Sequence, residues 1–332
     1  MTTLPTQPFK KVLVTGAAGF IGSSLCQRLV AEGCHVTGID NFDPFYSVKL
    51  KWHNVKPLMT NSSFNLVEGD ILDATLIKQI FDENNFDVVV HLAAKAGVRP
   101  SILDPDSYFD VNVRGTLNLL NNLKQTTDTR FVMASSSSVY GNNTDAPFAE
   151  DAETSKAVSP YAASKKAGEV LAHTFSHLHS IPTTMLRFFT VYGPRQRPEM
   201  AMARFINLVE ANKEVPMFGD GSSARDYTYI DDIVDGVHRA MERCAGYNIY
   251  NLGNSSPVSL KEMIADVGKV CTTQPLVVQY ADQPGDVELT FADISKATSE
   301  LGYSPKTSLI QGLTNYRDWV KQHPLAQELN QW

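Results

Sequence analysis

The stretch Lys11-Val12-Leu13-Val14-Thr15-Gly16-Ala17-Ala18-Gly19-Phe20-Ile21-Gly22 decides the fold. Its first five residues are apolar or β-branched apart from the leading lysine, which predicts a buried strand, and helical periodicity runs from Phe20 to about Glu32. Three glycines stand between them. Gly16 permits a tight turn, Gly19 lets the backbone approach a pyrophosphate and Gly22 lets the helix pack closely, while Phe20 and Ile21 open a helix whose first N–H groups face the anion. A glycine pattern alone is common. A strand before it and a helix after it make it a dinucleotide-binding signal.

Outward from that stretch, short runs rich in Val, Ile, Leu or Phe at 34–40, 64–68, 87–91, 130–135 and 183–189 alternate with helical patterns, clearest at 108–124 and 159–179. The alternation predicts an α/β protein: a Rossmann-type doubly wound parallel sheet with helices on both faces and a ligand crevice at the carboxyl ends of the strands. Asp40 closes the second strand about 20 residues past the glycines, where a carboxylate accepts from ribose hydroxyls and repels a 2′-phosphate. With no arginine in Asn41-Phe42-Asp43, the expected cofactor is NAD, and Asn41 is placed beside it. Asp70-Ile71, just past the third strand, reads equally as an adenine contact and as a solvated turn.

After Tyr192-Gly193-Pro194 the pattern loosens, with turn signals at Gly219-Asp220-Gly221, Pro257 and Pro284-Gly285, and a smaller C-terminal α/β substrate-binding domain is expected. The expected division is a cofactor domain over 1–190, rejoined by 226–252, and a substrate domain made of 191–225 and 253–332. Ser259, with Glu262 three residues on, predicts a capping box opening a helix to about Val270.

The chain has 332 residues, 43% hydrophobic and 20% charged, enough for one large domain and a smaller one. A net charge of −7 argues against the clustered basic surface that nucleic acids require, so no nucleic-acid partner is expected. An anionic small substrate must then meet individually placed arginines. Cys26, Cys34, Cys244 and Cys271 form no CxxC pair and signal neither a disulfide framework nor a zinc site. His173 and His177 have zinc-binding spacing without a third ligand; with His179 they read as a helix end or subunit interface, and no metal is expected. No apolar run reaches membrane-spanning length and 1–10 is unlike a signal peptide, so a cytoplasmic protein with no membrane partner is expected.

Tyr161 and Lys165 are four apart at the start of the 159–179 pattern and share a helix face. Such pairs also arise by chance, as a partly exposed ring beside a solvated amine. The chemical reading gains from Ala134-Ser135-Ser136-Ser137-Ser138-Val139-Tyr140-Gly141, a hydroxyl cluster on the rim of the expected crevice. A phenol is a poor base at neutral pH, its ordinary pKa being ~10, but a neighbouring ammonium and a cationic nicotinamide both favour the phenolate. Tyr161 would then take a proton from a substrate hydroxyl while a serine holds the same oxygen and hydride leaves the carbon.

Together these pieces resemble the extended short-chain dehydrogenases/reductases, and among them the NAD-dependent nucleotide-sugar 4-epimerases. The likeness rests on Gly16 to Gly22, His91-Leu92-Ala93-Ala94, Asn112 in Val111-Asn112-Val113-Arg114-Gly115-Thr116, the serine cluster, Tyr161 with Lys165, Arg187-Phe188-Phe189, Val191-Tyr192-Gly193-Pro194 and Arg225-Asp226-Tyr227-Thr228-Tyr229-Ile230-Asp231-Asp232. The resemblance implies Tyr161 as the base, Lys165 as its ribose-binding and pKa-lowering partner and Ser136 as the catalytic hydroxyl. It also implies Leu92, Ala93, Ala94, Asn112 and Ser135 at the cofactor. Dehydratases and decarboxylases of the family usually carry an acidic residue where this chain has Ser138, which favours simple epimerisation through a transient 4-keto sugar.

The chain is most similar to UDP-glucuronate 4-epimerases, through Asn41-Phe42-Asp43-Pro44-Phe45-Tyr46 leading to Leu50-Lys51, Ala96-Gly97-Val98-Arg99, Thr190 and Arg197-Pro198-Glu199-Met200-Ala201. The implied reaction interconverts UDP-glucuronate and UDP-galacturonate. Arg197 would pair with the sugar carboxylate and Thr190 would donate a hydroxyl to it; the bland reading of Arg197 is a solvated loop arginine. Arg195-Gln196 departs from the Trp-Gly usual in the uronate enzymes, and other nucleotide-sugar epimerases share Arg-Gln. The alternatives are a UDP-glucose or UDP-N-acetylglucosamine 4-epimerase, or an NAD-binding sensor whose chemistry is lost. The resemblance further implies Arg225 at the diphosphate, Val215 to Phe218 along the uracil, and Arg99, Ser136, Ser137, Ser138 and Asp286 among the substrate contacts. Phe218 reads equally as core packing. A homodimer built from 108–124 and 159–179 is likewise implied.

Overall fold

Alternating burial fixes the centre of the molecule. In the computed structural model, which describes residues 3–126, 128–281 and 287–323, Val12 and Val14 of β1 (Lys11–Thr15) face one apolar cluster and Leu13 the other. The neighbouring strands repeat this, with Val88 and Val90 opposed to Val89, and Val132 opposed to Phe131 and Met133. A sheet apolar on both faces has to be covered twice, which is why its strands read as continuous hydrophobic runs.

The chain runs on through α1 (Phe20–Ala31), β2 (His35–Asp40), α2 (Val48–Val55), β3 (Phe64–Glu68), α3 (Ala74–Glu83), β4 (Val88–His91), α4 (Val98–Leu103), α5 (Pro105–Phe109) and α6 (Thr116–Leu123). Then come β5 (Arg130–Ser136), α7 (Pro160–His179), β6 (Thr183–Phe188), β7 (Thr190–Tyr192), α8 (Ala201–Glu210), β8 (Glu214–Phe218), β9 (Ala224–Tyr229), α9 (Ile230–Glu242) and β10 (Tyr247–Leu252). The described residues end with β11 (Pro257–Ser259), α10 (Leu260–Cys271), β12 (Leu276–Tyr280) and α11 (Leu309–Gln322).

Seven strands form one parallel sheet in the order β10-β6-β5-β4-β1-β2-β3. α1 and α9 pack into the apolar cluster on one face, and α3, α6 and α7 into the cluster on the other. The expected doubly wound α/β fold is what the chain forms. Strand order reverses between β1 and β4, and at such a reversal the flanking loops part to leave a crevice at the carboxyl ends. Two small sheets, β11-β9-β7 and β12-β8, lie outside it. The capping box at Ser259 and Glu262 is present and opens α10.

One predicted helix differs. The 108–124 pattern begins earlier, at Pro105, and is interrupted over Asp110–Gly115 by a π-helical turn that contains Asn112. Apolar periodicity does not signal such a turn, because the helix on either side keeps its face; π turns of this kind gather at functional sites.

At Gly22 a Cβ would stand 2.0 Å from the Gly16 carbonyl oxygen, so α1 begins closer to the loop than any side chain permits. Beneath the carboxyl ends of β5 and β6, Arg187 and Glu169 form a pair in which each side chain is 1% exposed, with Arg187 Nε 2.9 Å from Glu169 Oε1 and Nη2 3.0 Å from Oε2. Burial opposes charge on Glu169, but the Arg187 and Ser135 hydrogen bonds overcome it and hold the carboxyl below the usual glutamate range. The pair's contribution is therefore complete above that range and is lost as pH falls through the lowered value. Glu169→Ala leaves the guanidinium buried without its carboxylate and is expected to cost about 3–5 kcal/mol in urea unfolding at pH 7; a loss below about 1 kcal/mol would contradict this account.

Candidate active site

α1 starts at Gly19 with no side-chain cap. Its first-turn N–H groups thus point out of the helix at the carboxyl edge of the sheet. Gly16 turns with φ +71°, and a Cβ there would lie 2.8 Å from Ala93 N; at Gly19 an added Cβ would meet only the Gly16 oxygen, at 3.1 Å. An open backbone before an uncapped helix fits the pyrophosphate of a dinucleotide. Phe20 is buried and Ile21 half-buried below it. Asp40, 7% exposed, accepts from Ala18 N–H at 3.0 Å and Phe42 N–H at 2.8 Å, and a carboxylate retains acceptor capacity beyond two such bonds. Asn41 Nδ2 donates to Asp70 Oδ2 at 2.8 Å, and Asp70 Oδ1 accepts from Leu72 N–H at 2.8 Å, which builds a turn. Ile71 is buried against Gly115.

Past β4, Leu92 N–H reaches Thr15 O at 3.3 Å and Ala93 N–H reaches Thr15 Oγ1 at 3.1 Å, setting Leu92 to Ala94 against the glycine turn. Asn112, expected at the cofactor, is bonded to this loop. It is 1% exposed, its Oδ1 accepts from Lys95 N–H at 2.9 Å, and its Nδ2 donates to Lys95 O and to Ser164 Oγ, both at 2.9 Å. With both amide hydrogens spent, it clamps the loop to α7.

Ser135, also expected at the cofactor, donates to Glu169 Oε1 at 2.7 Å and is 3% exposed. Successive strand residues point to opposite faces, so Ser135 is turned into the buried pair while Ser136 is not. Ser136 caps the short turn Ser137–Tyr140, accepting from Ser138 N–H and donating to Ser138 Oγ, both at 3.1 Å, and its hydroxyl favours the phenolate of Tyr161. Ser137 and Ser138 are half-buried beside it.

Tyr161 and Lys165 both lie in the first turns of α7, whose N-cap Ser159 accepts from Ala162 N–H. Lys165 Nζ donates to Ala134 O at 2.9 Å. Burial keeps the Tyr161 pKa above the ordinary tyrosine value, with the Ser136 hydrogen bond and Arg197 opposing it. Burial takes Lys165 down to about 8, with Glu169 opposing.

Arg197 is the convergence point. Its guanidinium sits over the Phe45 ring at 5.5 Å, and Nη1 lies 3.5 Å from Ala96 O and 3.3 Å from Glu199 Oε1. Its charge reaches Tyr46, Tyr108 and Tyr161. Tyr108 closes the group, edge-on to Tyr161 at 6.1 Å and donating to Ala96 O at 3.1 Å. Tyr46, Tyr108 and Glu199 were not expected here. Tyr108 stands four before Asn112 in the sequence, the only signal it offered.

Thr190, half-buried, opens β7 opposite Tyr227 of β9, and Arg225 lies two residues before Tyr227, with Nη1 donating to Ala224 O at 2.9 Å. Arg99 is exposed on α4. Val215 is 0% exposed within the core, so its side chain cannot line a uracil site; Phe218 is half-buried, 5.8 Å from the Tyr280 ring across β8 and β12. Asp286 lies outside the described residues. The Arg195-Gln196 departure faces elsewhere: Arg195 Nη2 donates to Gln27 Oε1 at 2.7 Å and Gln196 is 2% exposed.

Residues 13–316 match the family described as GDP-mannose 4,6 dehydratase. The chain belongs to the NAD-dependent nucleotide-sugar epimerase/dehydratase family of extended short-chain dehydrogenases/reductases. Among this family's members, a UDP-glucuronate 4-epimerase of Thermodesulfobacterium geofontis is 39% identical over 94% of this chain and 96% of its own length. The crystal structure of UDP-glucuronic acid 4-epimerase from Bacillus cereus, in complex with UDP-glucuronic acid and NAD, superposes with a TM-score of 0.88 at 40% identity, covering 94% of this chain and 99% of that one. UDP-glucose 4-epimerase from Thermotoga maritima, with UDP-glucose, gives 0.87 at 30% identity over 94% of this chain and 99% of that one. Among the described residues no helix is long and apolar enough to cross a membrane.

In this family member the buried ammonium of Lys165 is a burden on the fold. Its folded pKa of about 8 lies below the unfolded lysine value of ~10.4, so the penalty is complete below about pH 8 and fades as pH rises between the two. Lys165→Met, which keeps the volume and removes the charge, is expected to raise the unfolding free energy at pH 7 by on the order of 1–3 kcal/mol. A decrease in the urea midpoint would reverse that conclusion.

Proposed function

We propose that this chain interconverts UDP-glucuronate and UDP-galacturonate by epimerisation at carbon 4. The observation that carries the reading is the Arg197 guanidinium over the Phe45 ring: its Nη1 and the Tyr108 hydroxyl both reach the Ala96 carbonyl, and Tyr108 stands edge-on to Tyr161. A cation in the group of side chains that includes Tyr161 is where a uronate carboxylate finds a partner. The similarity to the Bacillus cereus enzyme supports it.

Gly16, Gly19 and the start of α1 would hold the pyrophosphate of NAD, Asp40 the adenosine ribose, and Lys165, which has further N–H donors beyond its bond to Ala134 O, the second ribose. Bound there, NAD supplies a reversible hydride acceptor that is regenerated in each cycle, so no second redox substrate is consumed. Tyr161, as phenolate, takes the proton of the 4-hydroxyl and returns it, and the Ser136 hydroxyl holds the same oxygen throughout. Because burial raises the Tyr161 pKa, the phenolate depends on Ser136, on Arg197 and on charge brought by the ligands.

Oxidation at carbon 4 makes a β-keto acid that can lose carbon dioxide. Arg197 and Thr190 would hold the carboxylate so that its breaking bond stays out of line with the ketone. Residues 191–225 and 253–332 would carry the nucleotide-sugar contacts, with Arg225 at the diphosphate. The Arg195-Gln196 departure does not weigh against a uronate, since Arg195 is turned to Gln27 and Gln196 to Gly193 N–H.

Tyr161→Phe is expected to lower turnover of UDP-glucuronate by roughly 10²–10⁴-fold with NAD affinity kept, and Arg197→Ala to raise KM for UDP-glucuronate by roughly 10–100-fold. Chromatographic resolution of products from UDP-glucuronate, UDP-glucose and UDP-N-acetylglucosamine checks both; full activity of Tyr161→Phe, or conversion of the neutral sugars alone, would sink the reading.

A homodimer through 108–124 and 159–179 would cover apolar side chains left in solvent there: Leu178 is 65% exposed, Val170 55% and Phe109 42%. Sedimentation is expected to give a dimer, and a monomer at all concentrations would remove the proposal.

A further inference from the structure

Arg197 already holds a carboxylate. Glu199, two residues on in the turn that leads into α8, places Oε1 3.3 Å from Arg197 Nη1, while Met200 N–H closes the turn onto Arg197 O at 3.2 Å. The pair is partly open to solvent, with 24% of the arginine side chain and 35% of the glutamate exposed. Around it stand Phe45 and Ala96, with the charge also reaching Tyr46, Tyr108, Lys51 and Tyr161.

We propose that Glu199 is a resident stand-in for the substrate carboxylate, competing with the uronate for the Arg197 guanidinium. The proposal rests on the reading of Arg197 as the carboxylate partner. Glu199 offers the arginine the same chemical group that the sugar would bring, from the same turn and without loss of the loop. When a uronate arrives, Glu199 must either yield the guanidinium or share it at repulsive range, and both outcomes weaken uronate binding. A neutral hexose has nothing to exchange and leaves the internal pair intact.

The benefit lies in release. Substrate and product both carry the carboxylate, so an unopposed guanidinium would hold the two alike, and uniform tight binding slows turnover without favouring the transition state. A competitor tethered two residues away shortens the stay of each. Glu199 is thus a positioning residue, acting through Arg197.

Calorimetric titration of the NAD-loaded protein with UDP-glucuronate and with UDP-glucose tests this. Glu199→Gln is expected to tighten UDP-glucuronate about two- to fivefold, the range of a partly exposed ion pair, and to raise the preference for it over UDP-glucose by a similar factor. Glu199→Asp should return towards the parent, and the gain should vanish when Arg197→Ala is added. Steady-state kinetics should show the change in KM for UDP-glucuronate without a rise in kcat. Unchanged or weakened UDP-glucuronate binding in Glu199→Gln, equal shifts for both sugars, or a gain that survives Arg197→Ala each overturn the competitor role. If Arg197→Ala alone leaves UDP-glucuronate affinity intact, the carboxylate reading falls with it; if Arg197→Ala weakens binding and Glu199→Gln does not tighten it, only the competitor role falls.

Discussion

A single run of hydrogen bonds ties the glycine loop to α7, the helix that carries Tyr161 and Lys165. Thr15 Oγ1, at the end of β1, meets His91 Nδ1 at 2.7 Å; His91 Nε2 meets Thr116 Oγ1 at 3.0 Å; and Thr116 donates to Asn112 O at 2.7 Å. Asn112 Nδ2 then reaches Ser164 Oγ, which donates to Tyr161 O at 2.8 Å. Because Thr116 spends its hydrogen on Asn112, His91 donates from Nε2 and accepts at Nδ1, which fixes one tautomer. Burial drives the His91 pKa down to about 3, so the imidazole stays neutral across the physiological range and the run does not rearrange with pH. The π turn at Asp110–Gly115 brings the Asn112 amide into register with both Lys95 and Ser164.

Below this run lies a second network of opposite character. Glu169 and Arg187 are joined to Ser135, to the Tyr140 hydroxyl and, through Tyr140, to Asn251 of β10. It is charged and fully enclosed, so its members are worth keeping only as a complete set. Glu169 also opposes the desolvation of Lys165 one helical turn away. The same carboxylate thus supports the sheet and keeps an ammonium under the site, and the residues of chemical interest rest on the part of the fold least tolerant of substitution.

Much of this was legible in the sequence where the information is local. The strand and helix around the glycines, the cap at Ser259 with Glu262, and the place of Tyr161 and Lys165 at the head of α7 depend on neighbours within a few residues, and each sits where its pattern put it. What the sequence left open has another cause. Ser135 and Ser136 are indistinguishable in a serine run, and only the pleat decides which one meets Glu169. Asn112 needed a helix irregularity that leaves no trace in apolar spacing. Arg197 meets Ala96 and Phe45 across far more of the chain than any spacing rule spans, so Tyr108 and Tyr46 could not be gathered around it beforehand, whereas Glu199, two residues on, was within reach of a local reading. Val215, given to the uracil by resemblance, is an ordinary core strand residue.

The position of β10 at the edge of the large sheet has a consequence for synthesis on the ribosome. Its partner β6 ends at Phe188, yet β10 is not made until Leu252, after β7, α8, β8, β9 and α9 have emerged. Until then a nascent chain carries an open strand edge and a buried-type arginine whose enclosure is unfinished, since Asn251 closes over Tyr140 only when β10 docks. Pairings of such long sequence separation form late, and a hydrophobic edge left waiting is where a half-made chain meets chaperones or its own copies.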